Sequence, residues 1–220
     1  MKYLLTSGGV TNPTIKSALI TMLGKPIEEC HALCISTASY AFDNGFTMAM
    51  EFITGKSGAP MCELGWKSLG VIELSALSMM DPHVVLTQLK KADAILVNGG
   101  DPGFLAYWYH QSGFAQLIPQ LDAVYVGMSA GSMVLTLDIG EEFVGWVSPN
   151  GHDKPLGIVP FSIFPHLDHP MLPENTLPTA QLWATKLTND AYAIDDATAF
   201  EVQGNTVKIW TEGKCIKLNY

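Results

Sequence analysis

The chain has 220 residues, 48% of them hydrophobic and 15% charged, the proportions of a soluble globular protein long enough to bury one large core. Twelve basic residues against 21 acidic ones leave a net charge of −9, which argues against nucleic-acid binding, and no apolar run reaches the roughly 20 residues of a membrane-spanning helix. All twelve basic residues are lysines, so any function that needs a guanidinium fork is excluded.

Residues 2–6 predict a strand that gives out at Ser7-Gly8-Gly9, too soon for the apolar core of a signal peptide, and a cytoplasmic protein is expected. Asn12 and Pro13 then open a helix that runs to Leu23-Gly24. Residues 32–36 read as the next strand, 45–54 carry helical spacing, and 69–74 read as a third strand. Asp81-Pro82 caps a helix that ends at Lys90-Lys91, with cations in the last turn as the helix dipole prefers. The short buried strand 94–97 runs straight into Asn98-Gly99-Gly100-Asp101-Pro102-Gly103. A helix near Phe104 and a second short one lead to Asp122. Residues 123–126 form another apolar strand that breaks at Gly127, and a helix covers 130–137.

This alternation predicts an α/β protein with a mainly parallel, helix-covered sheet. The last third differs. After the apolar run 156–164, strand signals recur at 191–194, 199–202, 206–210 and 215–218. Gly204-Asn205 and Glu212-Gly213 separate the last three as hairpin turns, which makes the C-terminus an antiparallel edge. No repeat, low-complexity tract or linker interrupts the chain, so one domain over residues 1–220 is expected.

Cys30, Cys34, Cys62 and Cys215 fall in no metal spacing and no dense framework. They are expected to be buried, reduced thiols of a cytosolic protein. His166 and His169 lack a third ligand in a convincing place, and no metal is expected.

The chemistry centres on Val124-Tyr125-Val126-Gly127-Met128-Ser129-Ala130-Gly131-Ser132. A buried strand runs into Gly-x-Ser-x-Gly and then into a helix, the context of a nucleophile elbow. The turn would project the Ser129 hydroxyl from the carboxyl end of the sheet. A serine nucleophile needs a base. His83 and His110 sit inside helical patterns, His31 and His152 elsewhere. His166, with His169 behind it, follows the apolar run 156–164 and could meet the serine at a strand end. An oxyanion hole needs two aimed N–H groups. Ala130, just after the serine, supplies one, and Gly99 or Gly100 at the end of the neighbouring strand the other. Neither Asn98-Gly99-Gly100-Asp101 nor Ser7-Gly8-Gly9 continues into a nucleotide-binding motif.

With these residues in place, the chain resembles peptidase family S51, the serine peptidases that include aspartyl dipeptidase (peptidase E) and cyanophycinase. Residues 95–101, the segment Gly127-Met128-Ser129-Ala130-Gly131-Ser132 and Pro165-His166 carry the resemblance, in the family's order and with 37 positions between Ser129 and His166. It covers nearly the whole sequence. It implies a flavodoxin-like α/β sandwich similar to the class I glutamine amidotransferase domain. It also implies Ser129 as nucleophile, His166 as base, and the N–H groups of Gly100 and Ala130 as the oxyanion hole. Matching the segment 193–199 makes Asp196 the orienting acid where relatives carry Glu, which requires the backbone there to sit closer. Asp195, Glu142 and Asp138 stand as alternatives.

The order Ser…His…acid separates the chain from α/β-hydrolases, and serine in place of cysteine argues against a glutamine amidotransferase. The resemblance implies an exopeptidase or dipeptidase with no cofactor, acting on small peptides with an acidic N-terminal residue, with neither nucleic acid nor membrane as partner. It leaves a homodimer open. An acidic side chain wants a cation, and without arginine only Lys154, His152, a helix N-terminus or hydroxyls are on offer. Tyr107, Trp108 and Tyr109 could line a pocket or pack. A non-peptidase amidase or esterase on the same scaffold, or a silent ligand-binding member, are the competing readings.

Overall fold

The computed structural model describes residues 1–149, 151 and 154–218. Among these, the strands in chain order are β1 (Lys2–Thr6), β2 (His31–Ile35), β3 (Ser68–Val71), β4 (Ala94–Val97), β5 (Val124–Met128), β6 (Phe161–Phe164), β7 (Asp190–Ile194), β8 (Thr198–Gln203), β9 (Thr206–Thr211) and β10 (Cys215–Lys217). The helices are α1 (Pro13–Leu23), α2 (Gly45–Ile53), α3 (Leu74–Leu77), α4 (Pro82–Leu89), α5 (Pro102–Gln111), α6 (Phe114–Leu117), α7 (Ala130–Met133) and α8 (Leu177–Ala184).

A seven-stranded sheet is ordered β3-β2-β4-β5-β1-β8-β9. Its first five strands are parallel, and β8 and β9 add the antiparallel edge. The expected mostly parallel α/β sheet is thus observed. Every residue of β4 and β5 is buried, which is why Ala-Ile-Leu-Val and Val-Tyr-Val-Gly-Met read as continuous apolar runs: helices cover both faces. One core cluster packs Leu5, Val97 and Tyr125 against α5 and α6, and the other packs Leu4, Leu96 and Val126 against α1 and α2.

Three helices begin with the same two-residue signal. Asn12, Asp81 and Asp101 each accept a backbone N–H from the first turn through their side chain, and each is followed by proline. The side chain satisfies a donor the helix cannot, and proline needs no donor at that position.

Four expectations need correcting. The strand expected over 69–74 stops at Val71, because Glu73 takes the Ser75 N–H and starts α3. The helix expected over 130–137 stops at Met133, and the carbonyls of Val134, Leu135 and Thr136 accept N–H groups from residues 156–159 instead. That pairing also limits β6 to Phe161–Phe164. Finally, Gly204-Asn205 does join β8 to β9 as a hairpin, but Glu212-Gly213 does not return the chain to β9. There β10 crosses to a second sheet, ordered β10-β7-β6. Asp195 pins it: its carboxylate accepts the Lys214 N–H at 2.7 Å and its own N–H donates to the Lys214 carbonyl at 3.1 Å.

The second sheet packs on the first through Phe161, whose ring lies 4.8 Å from that of Phe200. Its other face is covered by Trp183 of α8, a helix the sequence reading did not anticipate. No helix of the described residues is long and apolar enough to cross a membrane.

Candidate active site

The fold brings the carboxyl ends of β1, β4, β5, β6 and β7 together, the place where open parallel sheets carry their sites. Ser129 follows β5 directly and has φ 49° and ψ −114°, a conformation serine rarely adopts. Its N–H donates to the Thr6 carbonyl at 3.1 Å, and its carbonyl accepts from Ser132 and Met133, so the strained turn is held from both sides. The turn leaves no room at the flanking glycines. A Cβ on Gly127 would lie 2.5 Å from the Gly131 carbonyl oxygen, and one on Gly131 would lie 2.4 Å from the Val97 oxygen. Beneath the elbow, the buried Tyr125 hydroxyl donates to the Gly131 carbonyl at 2.7 Å and meets the Tyr109 hydroxyl at 3.0 Å.

His166 and Asp196 each stand two residues beyond a strand, β6 and β7, which pair in parallel. That pairing sets Asp196 Oδ1 2.7 Å from His166 Nδ1. His166 has φ 57°, and its N–H donates to the Ser7 Oγ at 2.7 Å. The same Ser7 hydroxyl donates to Asp196 Oδ1 at 2.6 Å. Ser7 therefore clamps backbone and carboxylate at once, a role the sequence reading missed. Its available signal was a Ser-Gly-Gly turn directly after a strand, like the glycine turns after β4 and β5. Thr11 adds a hydrogen bond to the Asp196 carbonyl at 2.6 Å. Burial pushes the Asp196 carboxyl up, but the hydrogen bonds from His166 and Ser7 and the nearby charges of His166 and His169 outweigh it, holding the acid below its ordinary value. His169 stands behind, its Nε2 3.6 Å from Asp196 Oδ2.

Ser129 and His166 line one cavity of about 280 Å³ together with Asn98, Gly99, Gly100 and Met128. Gly99 commits its N–H to Asn98 Oδ1 at 2.9 Å. Among the described residues no hydrogen bond uses the N–H of Gly100 or Ala130. Gly100 has φ 141°, and a Cβ there would sit 2.3 Å from the Ala38 carbonyl, so only glycine fits.

The other candidates are engaged elsewhere. Asp195 organises a turn through the N–H groups of Ala197 and Lys214 and the Thr198 hydroxyl. Glu142 pairs with Lys186, and Asp138 accepts the Gly140 N–H. His31 meets Ser68, His83 is exposed on α4, and His110 contacts the Lys154 carbonyl. Lys154 lines a separate cleft with Asp138, Glu141 and Trp146, and His152 lies outside the described residues. Tyr109 is buried, while Tyr107 meets Trp108 edge to face and packs at a tilt on Trp146. None of the three lines the Ser129 cavity. No cluster of three or more His, Cys, Asp or Glu side chains able to hold a metal occurs among the described residues.

The model of peptidase family S51 matches residues 3–210. The chain belongs to that family. S51 membership gives the coarse activity, that of a serine-type peptidase. Comparison with curated proteins returns no match. Among solved structures, this S51 chain is similar to a protein from Listeria monocytogenes EGD-e assigned as a peptidase E, with a TM-score of 0.65 and 20% identity over 96% of this chain and 98% of that one. It is also similar to a peptidase from an acI-B1 Actinobacterium, with a TM-score of 0.69 and 17% identity over 99% and 90% of the two chains. Identities this low speak for the fold alone.

Proposed function

We propose that this S51 member hydrolyses small peptides through Ser129, His166 and Asp196. The 2.7 Å contact between His166 Nδ1 and Asp196 Oδ1, with Ser129 and His166 on one cavity wall, carries the reading. Asp196 orients the imidazole so that Nε2 remains for proton transfer. Ser129 Oγ attacks the carbonyl carbon as His166 takes its proton, and the N–H groups of Gly100 and Ala130 receive the oxyanion, each worth roughly 3 kcal/mol in the transition state. Collapse expels the amine, which takes the proton from His166, and leaves an acyl-enzyme. Water repeats the cycle and frees the acid.

A cavity of about 280 Å³ suits a short peptide better than a folded chain and supports the dipeptidase or exopeptidase form of the reading. The acidic preference implied by the family resemblance has less support, because no lysine lines the cavity. Buried Cys30, Cys34 and Cys62 suit a reducing, cytoplasmic setting. Ser129→Ala should remove turnover of a dipeptide panel and fluorophosphonate labelling while leaving the unfolding free energy within about 1 kcal/mol of the wild type. Retained hydrolysis by that variant would falsify the mechanism.

A further inference from the structure

Part of the catalytic cavity wall is made by residues that the hydrolytic steps do not use. Met48 and Glu51 come from α2, and Ser57 and Ala59 from the loop after it. Met48 and Glu51 are three apart and so share one ridge of the helix, while Gly45, Ala49 and Phe52 form its buried face. The helix is seated closely: a Cβ on Gly45 would lie 2.2 Å from the Ser39 carbonyl oxygen. The neighbouring Ala38 carbonyl accepts the Asp101 N–H, next to Gly100. The wall bearing Glu51 is thereby tied to the loop that supplies the oxyanion donor.

Glu51 is the one acidic side chain on this lining, and no lysine lies there to neutralise it. The residue is exposed, and among the described residues no ion pair or hydrogen bond engages its carboxylate. Its main-chain carbonyl is engaged instead, accepting from Lys56 at 2.7 Å. A carboxylate on the wall of a concave site attracts a cation and repels a like charge brought to the same place.

We propose that Glu51 is the specificity-determining residue of the cavity and binds a substrate ammonium group close to the scissile bond. This rests on the hydrolase reading above. The ammonium can belong to the peptide's N-terminus or to a lysine side chain, and both present the same chemistry to the carboxylate.

The test compares kcat/KM for peptides with lysine or norleucine at one position, each with a free or acetylated N-terminus. The wild type should favour the cationic member of a pair by at least about tenfold, the range of a charge-assisted hydrogen bond. Glu51→Gln should collapse that ratio and Glu51→Lys should invert it in favour of aspartyl peptides. Loss of preference on acetylation assigns the N-terminus, and loss on lysine replacement assigns the side chain. Wild-type ratios near one in both the lysine/norleucine and the free/acetylated comparison, or unchanged ratios in Glu51→Gln, overturn the proposal. The hydrolase reading is checked apart, by fluorophosphonate labelling of Ser129. Calorimetry of the same lysyl peptides on Ser129→Ala, with and without Glu51→Gln, reads the cation site without turnover. Weakening of about tenfold or more supports it, and equal affinities or no binding overturn it.

Discussion

Asp196 is the residue on which the site's geometry turns. Its carboxylate receives His166 and Ser7 on one oxygen and faces His169 across 3.6 Å on the other. Gly8 lies directly against it: a Cβ placed on Gly8 would lie 2.7 Å from the Asp196 Cβ. Asp196→Asn would keep the shape but offer His166 an amide, and kcat should fall by up to about 10⁴-fold at neutral pH, measured on the best dipeptide. The carboxyl is held below its ordinary value, so its stabilising contribution is complete above the unfolded value near about 4 and is lost as pH falls through the folded one. Thermal unfolding followed from pH 7 to 3 should therefore show a shallower acid loss in Asp196→Asn than in the wild type. Of the four carboxylates open at the level of sequence, three are engaged in turns or an ion pair. Short-range pattern could not separate them, because Asp195 and Asp196 are neighbours with opposite assignments: one closes a turn with Lys214, the other reaches the histidine.

At the scale of elements, the Asx-Pro starts of α1 and α4 were legible because a cap and its helix lie within four residues of each other, whereas the same signal at Asp101-Pro102 sat inside a glycine turn and α5 was expected only near Phe104. Their weights differ with tertiary context. Asp81 is exposed and serves its own helix. Asp101 is 2% exposed and also accepts the N–H groups of Gly145 and Trp146 at 2.7 and 2.9 Å, tying a distant loop to the glycine turn after β4. Asp81→Ala should cost about 1 kcal/mol, whereas Asp101→Ala should cost roughly 3 kcal/mol because buried donors lose their acceptor. Urea unfolding of the two variants checks the difference. The helix over 130–137 fails at the same scale. Its apolar run is compatible with a helix, but residues 156–159 compete for its carbonyls from 21 to 24 positions away.

For the whole molecule, the decisive event is the departure of the chain from one sheet to another. β6, β7 and β10 form a separate sheet whose parallel pair sets His166 against Asp196, with His166 on the cavity that Ser129 also lines. The junction is aromatic: Phe200 of β8 contacts Phe161 and Tyr192 at ring distances of 4.8 and 5.2 Å. Phe200→Ala should cost about 3–5 kcal/mol in urea unfolding. The second sheet should also loosen, read as faster amide exchange in β6 and β7 than in β4. Equal exchange in the two regions would show that the sheets do not depend on this contact.

The absence of arginine, visible at once in the sequence, bears on recognition and leaves the hydrolytic groups untouched. Sequence by itself determined the parallel α/β frame, the Asx-Pro starts of α1 and α4 and the strand–Ser129–helix elbow, since each depends on residues within one or two turns of chain. The family resemblance had pointed to Asp196 as the partner of His166, and tertiary structure alone decided that Ser7 clamps both, that β10 changes sheet and that Glu51 shares the cavity with Ser129. These pairings span 30, 159 and more positions, and strand order brings them together, a long-range choice that hydrophobic periodicity and local turn chemistry do not encode.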